Sequence, residues 1–469
     1  MYQAIHLSAE CYPIAKTGGL GDVVGALPKY LNEAGIKTCV IMPLYNQKWF
    51  KGKVIVPVYK GHLKGDHFDL DFFIKHAAKA GLGFDVFFVD IPELLFRENI
   101  YSYHDDAERF IFFQQAAIEW INTWKEKPGV VHCHDHHTGL TPFMMKHCYQ
   151  YSALSLVKTV FTIHNALYTG AFSWTLSKYL PEFPYQSKGL LEWDDVVLPL
   201  ACGIKCCDKL TTVSEGYLEE LKYTSGTMRW LYNEYWQKSR GIVNGIDTQT
   251  WDPANDTYLD IKLEDDKWDD FKLKNKQAVC EPVKLNAELP MVIFIGRLLP
   301  EKGGEILAQA VGQFMAQNRN FTFYILGSGA NHIENQIRNL TSYFNGHVAN
   351  YIGYNEKLAH QLYAAADFLL MPSLIEPCGL NQMYAMRYGT LPIVRSVGGL
   401  KDTVIDFGEA NGYGIRFTRP DAGDIITSLY RALELYHDKA KLAAVNERLI
   451  QLDFSWTTVV KQYIELYKN

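Results

Sequence analysis

No run in this sequence approaches the ~18 consecutive apolar residues of a membrane-spanning helix. Its opening, MYQAIHLSAE, also lacks the basic stretch and apolar stretch of an export signal. Both absences set the expectation of a cytoplasmic protein with no membrane partner. An excess of basic charge is missing too: 46 Lys plus Arg face 52 Asp plus Glu, for a net charge of −6. Such a chain lacks the footprint of a nucleic-acid binder, so any phosphate it holds must be met by a few local cations and backbone amides. Cysteine is sparse and odd in number, nine in all, and partly embedded in apolar runs such as Lys37–Ile41. That usage excludes a disulfide scaffold and reads as reduced thiols. Cys202, Cys206 and Cys207 cluster without a second ligand pair at zinc spacing, and so read as structural. No complete G-x-G-x-x-G follows the first apolar run, which disfavours a dinucleotide and hydride transfer.

What remains is 469 residues, 48% hydrophobic and 21% charged, the composition of a globular protein too long for one core. β-rich runs alternate with helical patterns throughout. In the first half the runs are Ile5–Ala9, Thr38–Pro43, Phe84–Asp90, Val130–His134, Lys158–His164, Leu210–Ser214 and Ile242–Gly245; in the second, Met291–Gly296, Phe321–Leu326, Asn350–Gly353, Phe368–Met371 and Leu391–Val394. They predict buried parallel strands in two doubly wound α/β lobes that meet near residues 247–290, with ligands at the carboxyl ends of the strands, facing a cleft. The charged stretch Asp260–Lys276 reads as a solvated helix near the boundary.

Three segments carry chemistry. Lys16 precedes Gly18-Gly-Leu-Gly-Asp22, a point charge beside paired glycines at a strand-to-helix turn, where backbone N–H groups suit a phosphate or hydroxyl-bearing ligand. Leu20, Val24, Leu27 and Leu31 put one apolar face on the helix that follows, and Pro28 is expected to kink it. Gly398-Gly-Leu-Lys-Asp-Thr403 echoes the motif in the second half. Next, Arg297 and Lys302 stand five apart in a loop after a strand, a spacing that lets a guanidinium fork and an ammonium converge on one diphosphate. Finally, Met371-Pro-Ser-Leu-Ile-Glu376-Pro-Cys378-Gly379-Leu380 joins a strand to a helix, offering a carboxylate and free amides to sugar hydroxyls or phosphate. The histidines of Val131-His-Cys-His-Asp135-His-His137 are expected to alternate between strand faces and so not to converge on a metal.

Together with Val160–Asn165, Thr212–Ser214, Asn244-Gly-Ile-Asp247, Tyr324–Gly329 and Tyr351–Tyr354, these segments resemble the bacterial glycogen synthase and starch synthase family of retaining glucosyltransferases, from Ser8 to the C-terminus. The resemblance implies a GT-B fold: two Rossmann-like lobes around a deep cleft, here residues 1–247 and 248–450, with 451–469 a helix returning to the first lobe. It implies transfer of glucose from ADP-glucose, or alternatively UDP-glucose, to the nonreducing end of an α-1,4-glucan or maltooligosaccharide, without a cofactor or metal. Carried onto this chain, it places Lys16, Gly18 and Gly19 beside the donor's phosphate and glucose. Asp135, His164 and Asn244 fall around the glucosyl group. Arg297 and Lys302 form the diphosphate clamp, Glu376 is the essential carboxylate, Cys378, Gly379 and Leu380 form the sugar-binding turn, and Tyr354 stacks on the base.

The chain departs from the family's pattern at Tyr384, where many retaining GT-B enzymes carry a second glutamate, at Ala201 in place of a lysine, at Thr224–Leu231 and in a shortened Arg97–Asp106 loop. A non-catalytic glucan-binding relative and a glucan phosphorylase stand as alternatives, the latter disfavoured by chain length and by the lack of a PLP-lysine context.

Overall fold

The computed structural model describes residues 2–77 and 80–468, and divides into two compact units. One runs to Gly245 and takes up the chain again from Trp456; the other is Ile246–Ser455. The first crossing thus falls two residues before the expected 247/248 boundary and the return five residues after 450/451.

Among the described residues, the first unit holds a nine-stranded sheet. Its strands are β1 (Ala4–Leu7), β2 (Thr38–Pro43), β3 (Ile55–Gly65), β4 (Phe68–Ala77), β5 (Asp85–Asp90), β6 (Val130–His134), β7 (Lys158–Ile163), β10 (Lys209–Thr212) and β11 (Ser239–Gly241), while β8 (Glu192–Trp193) and β9 (Val196–Val197) form a separate small hairpin. The order β11-β10-β7-β6-β1-β2-β5-β4-β3 is parallel except for an antiparallel edge, β3 on β4 and β4 on β5. Sequence reading missed that edge because its strands are half exposed and held partly by cross-strand charge, Lys60 to Asp71 at 2.7 Å and Lys75 to Asp90 at 2.6 Å, rather than by a continuous apolar run.

The expected strand Ile242–Gly245 is instead irregular, and β11 lies just before it. Ile242 N–H still donates to Thr212 O at 2.9 Å, but at Gly245 the backbone presses on Trp456, where a Cβ would come within 2.7 Å of the indole. The chain leaves the sheet there. The helix Trp456–Lys468 buries Trp456, Val459, Val460, Tyr463 and Leu466 with Val23, Leu27 and Leu31 of the helix Gly19–Glu33. That helix runs unbroken through Pro28, whose missing N–H leaves Val24 O without its helical donor; the Cys11 thiol, 3.6 Å away, donates instead.

The second unit holds an all-parallel six-stranded sheet in the order β14-β13-β12-β15-β16-β17: β12 (Met291–Ile295), β13 (Thr322–Gly327), β14 (Val348–Ile352), β15 (Phe368–Met371), β16 (Leu391–Arg395) and β17 (Ile415–Phe417). The stretch read as a solvated helix begins its helix only at Trp268 and buries the inner half: Phe271, Asn275, Lys276, Val279 and Cys280 pack inward. Lys276 pairs there with Asp367 at 2.5 Å. No helix among the described residues is long and apolar enough to cross a membrane.

Candidate active site

In the first unit, functional groups gather where β1, β6 and β7 end. After β1 the chain turns at Ser8, whose hydroxyl both donates to Glu10 O and accepts from Glu10 N–H. The buried Glu10 carboxylate then receives Thr17 N–H at 2.7 Å, Gly18 N–H at 3.1 Å, the Thr17 hydroxyl at 2.6 Å and the Tyr101 hydroxyl at 2.8 Å. This corrects the expectation of a free amide nest: the donors of Thr17 and Gly18 are already spent on an internal anion. Glu10 thereby fixes the loop, and open space lies beside Gly18 and Gly19, where a Cβ would meet nothing within 4 Å. Lys16, partly exposed, pairs with Asp22 at 2.7 Å.

Asp135 follows β6 with φ +57°, a left-handed conformation uncommon for a side-chain-bearing residue. Its Oδ1 accepts His164 N–H at 2.7 Å and Asn165 N–H at 3.4 Å. Burial pushes the carboxyl up to about 7, with Glu10 adding to the rise and the two amides opposing it. His164, after β7, is held down to about 3 by burial and is neutral. Asn244 is buried in the segment leaving the sheet. The expectation that the histidines of β6 diverge was wrong. His132 and His134, two apart, share a face, where His6 joins them, and ligand atoms of the three lie within 4.8 Å of one another.

In the second unit two loops are zipped together. Leu374 N–H donates to Glu301 O at 2.9 Å, and Gly303, at φ +72°, sits where a Cβ would fall 2.2 Å from Pro372 O. The result puts Lys302 Nζ 2.7 Å from both oxygens of Glu376, which is 6% exposed and also accepts the Ser373 hydroxyl at 2.9 Å. Gly399 N–H donates to Glu376 O at 3.1 Å, and at Gly398 (φ +45°) a Cβ would stand 2.1 Å from that same carbonyl. The second diglycine therefore serves close backbone packing under Glu376, whereas the first borders open space; the sequence echo has two physical causes.

The turn Cys378–Leu380 leads into the helix Asn381–Arg387, with Gly379 at φ +73°. Gln382 points inward, its two amide N–H groups shared among Cys378 O, Gly379 O and the Thr403 hydroxyl. Asn381 ties the same turn to the end of β12, donating to Ile295 O at 2.6 Å. Arg297, 53% exposed at its side chain, lies 3.4 Å from Glu301, the residue before Lys302. Tyr354 is 81% exposed after β14, its hydroxyl on Glu356. Tyr384, at the departure noted above, stacks on Trp251 with ring centroids 3.8 Å apart. Sequence reading missed Glu10, Tyr101 and Ser373. The only signal for Glu10 was its place at the head of the segment that runs through Lys16 to the paired glycines.

Comparison with known proteins adds to this geometry. Residues 3–233 match the family described as the starch synthase catalytic domain, and residues 276–446 match glycosyl transferases group 1. The chain is 45% identical over 466 residues to a glycogen synthase of Flavobacterium johnsoniae, covering 99% of this chain and 98% of that one. It is 35% identical over 483 residues to a glycogen synthase of Bacillus cereus, covering 98% of each. Among solved structures it is similar to the catalytic domain of starch synthase IV from Arabidopsis thaliana bound to ADP and acarbose, with a TM-score of 0.88 at 30% identity, covering 100% of this chain and 99% of that one. Sucrose-phosphate synthase from Thermosynechococcus elongatus shares the fold, with a TM-score of 0.61 at 18% identity over 99% and 98% of the two chains.

Proposed function

Since the chain belongs to the glycogen synthase and starch synthase family of glucosyltransferases, with the two α/β units of the GT-B fold, we propose that it transfers glucose from ADP-glucose to the nonreducing end of an α-1,4-glucan with retention of configuration. The observation that carries this reading is the Lys302–Glu376 pair, a cation and a buried carboxylate held at the carboxyl edge of a parallel sheet, where α/β folds bind their ligands. The catalytic domain of starch synthase IV, similar over 99% of that chain, is bound to ADP and acarbose, which supports a nucleoside-diphosphate donor and a glucan acceptor.

In this reading Lys302 and Arg297 meet the diphosphate. As the glycosidic bond breaks, that group gains charge, so cations aimed at it stabilise the transition state more than the ground state. Glu376 holds the glucosyl hydroxyls, aided by the amides of Cys378, Gly379 and Leu380. Tyr354 offers an exposed ring to the base, and the larger purine gains more contact than uracil, which favours ADP-glucose. In the first unit, Lys16 and the open backbone at Gly18 and Gly19 serve the phosphate and glucose, while Asp135, His164 and Asn244 serve the glucosyl group. No metal takes part.

The test is nucleotide release with chain extension on maltooligosaccharide, run with ADP-glucose and with UDP-glucose. ADP-glucose is expected to give the higher kcat/KM, and Tyr354→Ala to raise the donor KM and narrow the gap, with Tyr354→Phe changing little. More efficient use of UDP-glucose overturns the donor assignment; nucleotide release with neither donor overturns the enzyme reading.

A further inference from the structure

Behind His164 lies a line of rings that no role above uses. His6 on β1 sits in register with His132 on β6. His6 Nδ1 is 2.9 Å from His134 Nε2, and His134 Nδ1 is 3.0 Å from His164 Nε2. At the far end the hydroxyl of Tyr467, on the C-terminal helix, is 2.7 Å from His132 Nδ1 and 3.4 Å from His6 Nε2; His132 Nε2 in turn is 2.6 Å from the Thr162 hydroxyl. His164 Nδ1 is buried with no hydrogen-bond partner among the described residues.

Burial holds all four histidines below their usual range, so each ring is neutral and carries one N–H and one lone pair. Every link takes one hydrogen. From His6 through His134 to His164 the direction of one link therefore dictates the next, and only two arrangements exist for those three rings.

Tyr467 decides between them. Its oxygen can accept from two donors, and 3.4 Å lies further outside the range of an O–H donor than of an N–H donor, so at the contact with His6 the oxygen is the acceptor. His6 must then donate from Nε2 to the Tyr467 oxygen and accept at Nδ1. His134 donates from Nε2 and accepts at Nδ1, and His164 donates from Nε2, which leaves its lone pair on Nδ1. We infer that Tyr467, His6 and His134 are positioning residues that hold His164 as its Nε2–H tautomer, so that Nδ1 accepts a hydrogen bond from a hydroxyl of the glucosyl substrate. The last step rests on the placement of His164 proposed above; the tautomer does not.

A metal at His6, His132 and His134 is the competing reading. All six of those ring nitrogens already have partners, and the His132 and His134 rings stack with centroids 4.2 Å apart, faces rather than nitrogens toward each other. An ion ~2.0–2.1 Å from each nitrogen would have to break the His6–His134 bond.

The experiment is nitrogen NMR of the full chain with labelled histidine, His164 being assigned through His164→Gln. The wild type is expected to show Nε2 protonated and Nδ1 bare. Tyr467→Phe removes the group that sets direction, so His164 should become a mixture of tautomers and kcat/KM should fall about tenfold; His6→Gln, a second break in the line, should give the same mixture. Protonated Nδ1 in the wild type, an unchanged tautomer in both variants, or a rise in Tm on adding zinc overturns the relay. A shifted tautomer beside a fully active His164→Ala keeps the relay and overturns only the sugar contact.

Discussion

The ammonium of Lys302 stands 2.7 Å from both oxygens of the Glu376 carboxylate, although the two residues are 74 apart in the chain. Glu376 is the more buried partner, and Lys302 and the Ser373 hydroxyl are the groups that meet its oxygens. Losing one member of a buried pair strands the other.

Lys302→Ala is accordingly expected to lower stability by on the order of 2–3 kcal/mol and kcat/KM by a few powers of ten. Arg297→Ala should behave differently: half exposed and 3.4 Å from Glu301, it has little to lose in the fold, so kcat/KM should fall while Tm stays put. Thermal unfolding measured beside steady-state kinetics separates the two. An unmoved Tm in Lys302→Ala would mean that the pair does not hold Glu376.

Glu10→Gln tests the first unit. The carboxylate accepts from Thr17 N–H, Gly18 N–H and two hydroxyls, and an amide has one acceptor oxygen where the carboxylate has two, so one or more buried donors lose a partner at ~1–3 kcal/mol each. The expected outcome is a lower Tm and a raised donor KM, because the backbone at Gly18 and Gly19 loses its anchor. Unchanged donor KM with lowered Tm would assign Glu10 to stability alone.

The parallel strands were legible because buried strands announce themselves as apolar runs; Thr38–Pro43, Val130–His134 and Phe368–Met371 stand where the runs do. The strands β3 and β4 were not, because an exposed edge is written in alternation and charge pairs. Among site residues, the Lys16, Arg297, Lys302 and Glu376 segments could be found as motifs, yet the partners they take could not. The contact of Lys302 with Glu376 arises from two loops meeting across β12 and β15. Glu10 is a single carboxylate whose importance exists only once Thr17, Gly18 and Tyr101 fold around it. The histidine line was misread in kind: positions 132 and 134 are two apart and share a face, and their third partner, His6, comes from a neighbouring strand.

Metal independence follows from the proposed clamp, in which Lys302 and Arg297 supply the positive charge that a magnesium-diphosphate site would otherwise bring. Exhaustive treatment with EDTA should leave kcat and the donor KM unchanged. Loss of activity restored by magnesium or manganese would mean that the diphosphate is met by an ion and that the two cations have another task.

The pH dependence of the first unit should carry the signature of Asp135. Burial, with Glu10 adding to it, pushes this carboxyl up to about 7 in the folded chain, while the unfolded chain releases the proton near ~3.9. Between those values the folded state holds a proton that the unfolded state has lost, so stability falls as pH rises, by at most about 1.4 kcal/mol per unit, and levels off above about 7. The contribution is fully present below the ordinary aspartate range. Asp135→Asn has the shape of the protonated acid and keeps an oxygen for the amides of His164 and Asn165, without the proton to lose. The buried neutral histidines give the opposite slope, losing stability as pH falls below ~6.5, but they are common to both proteins and cancel in the comparison. The Tm of Asp135→Asn relative to wild type should therefore climb from pH 5 to pH 7 and then stay constant, and a difference that does not vary with pH would show that Asp135 is ionised in the folded chain throughout.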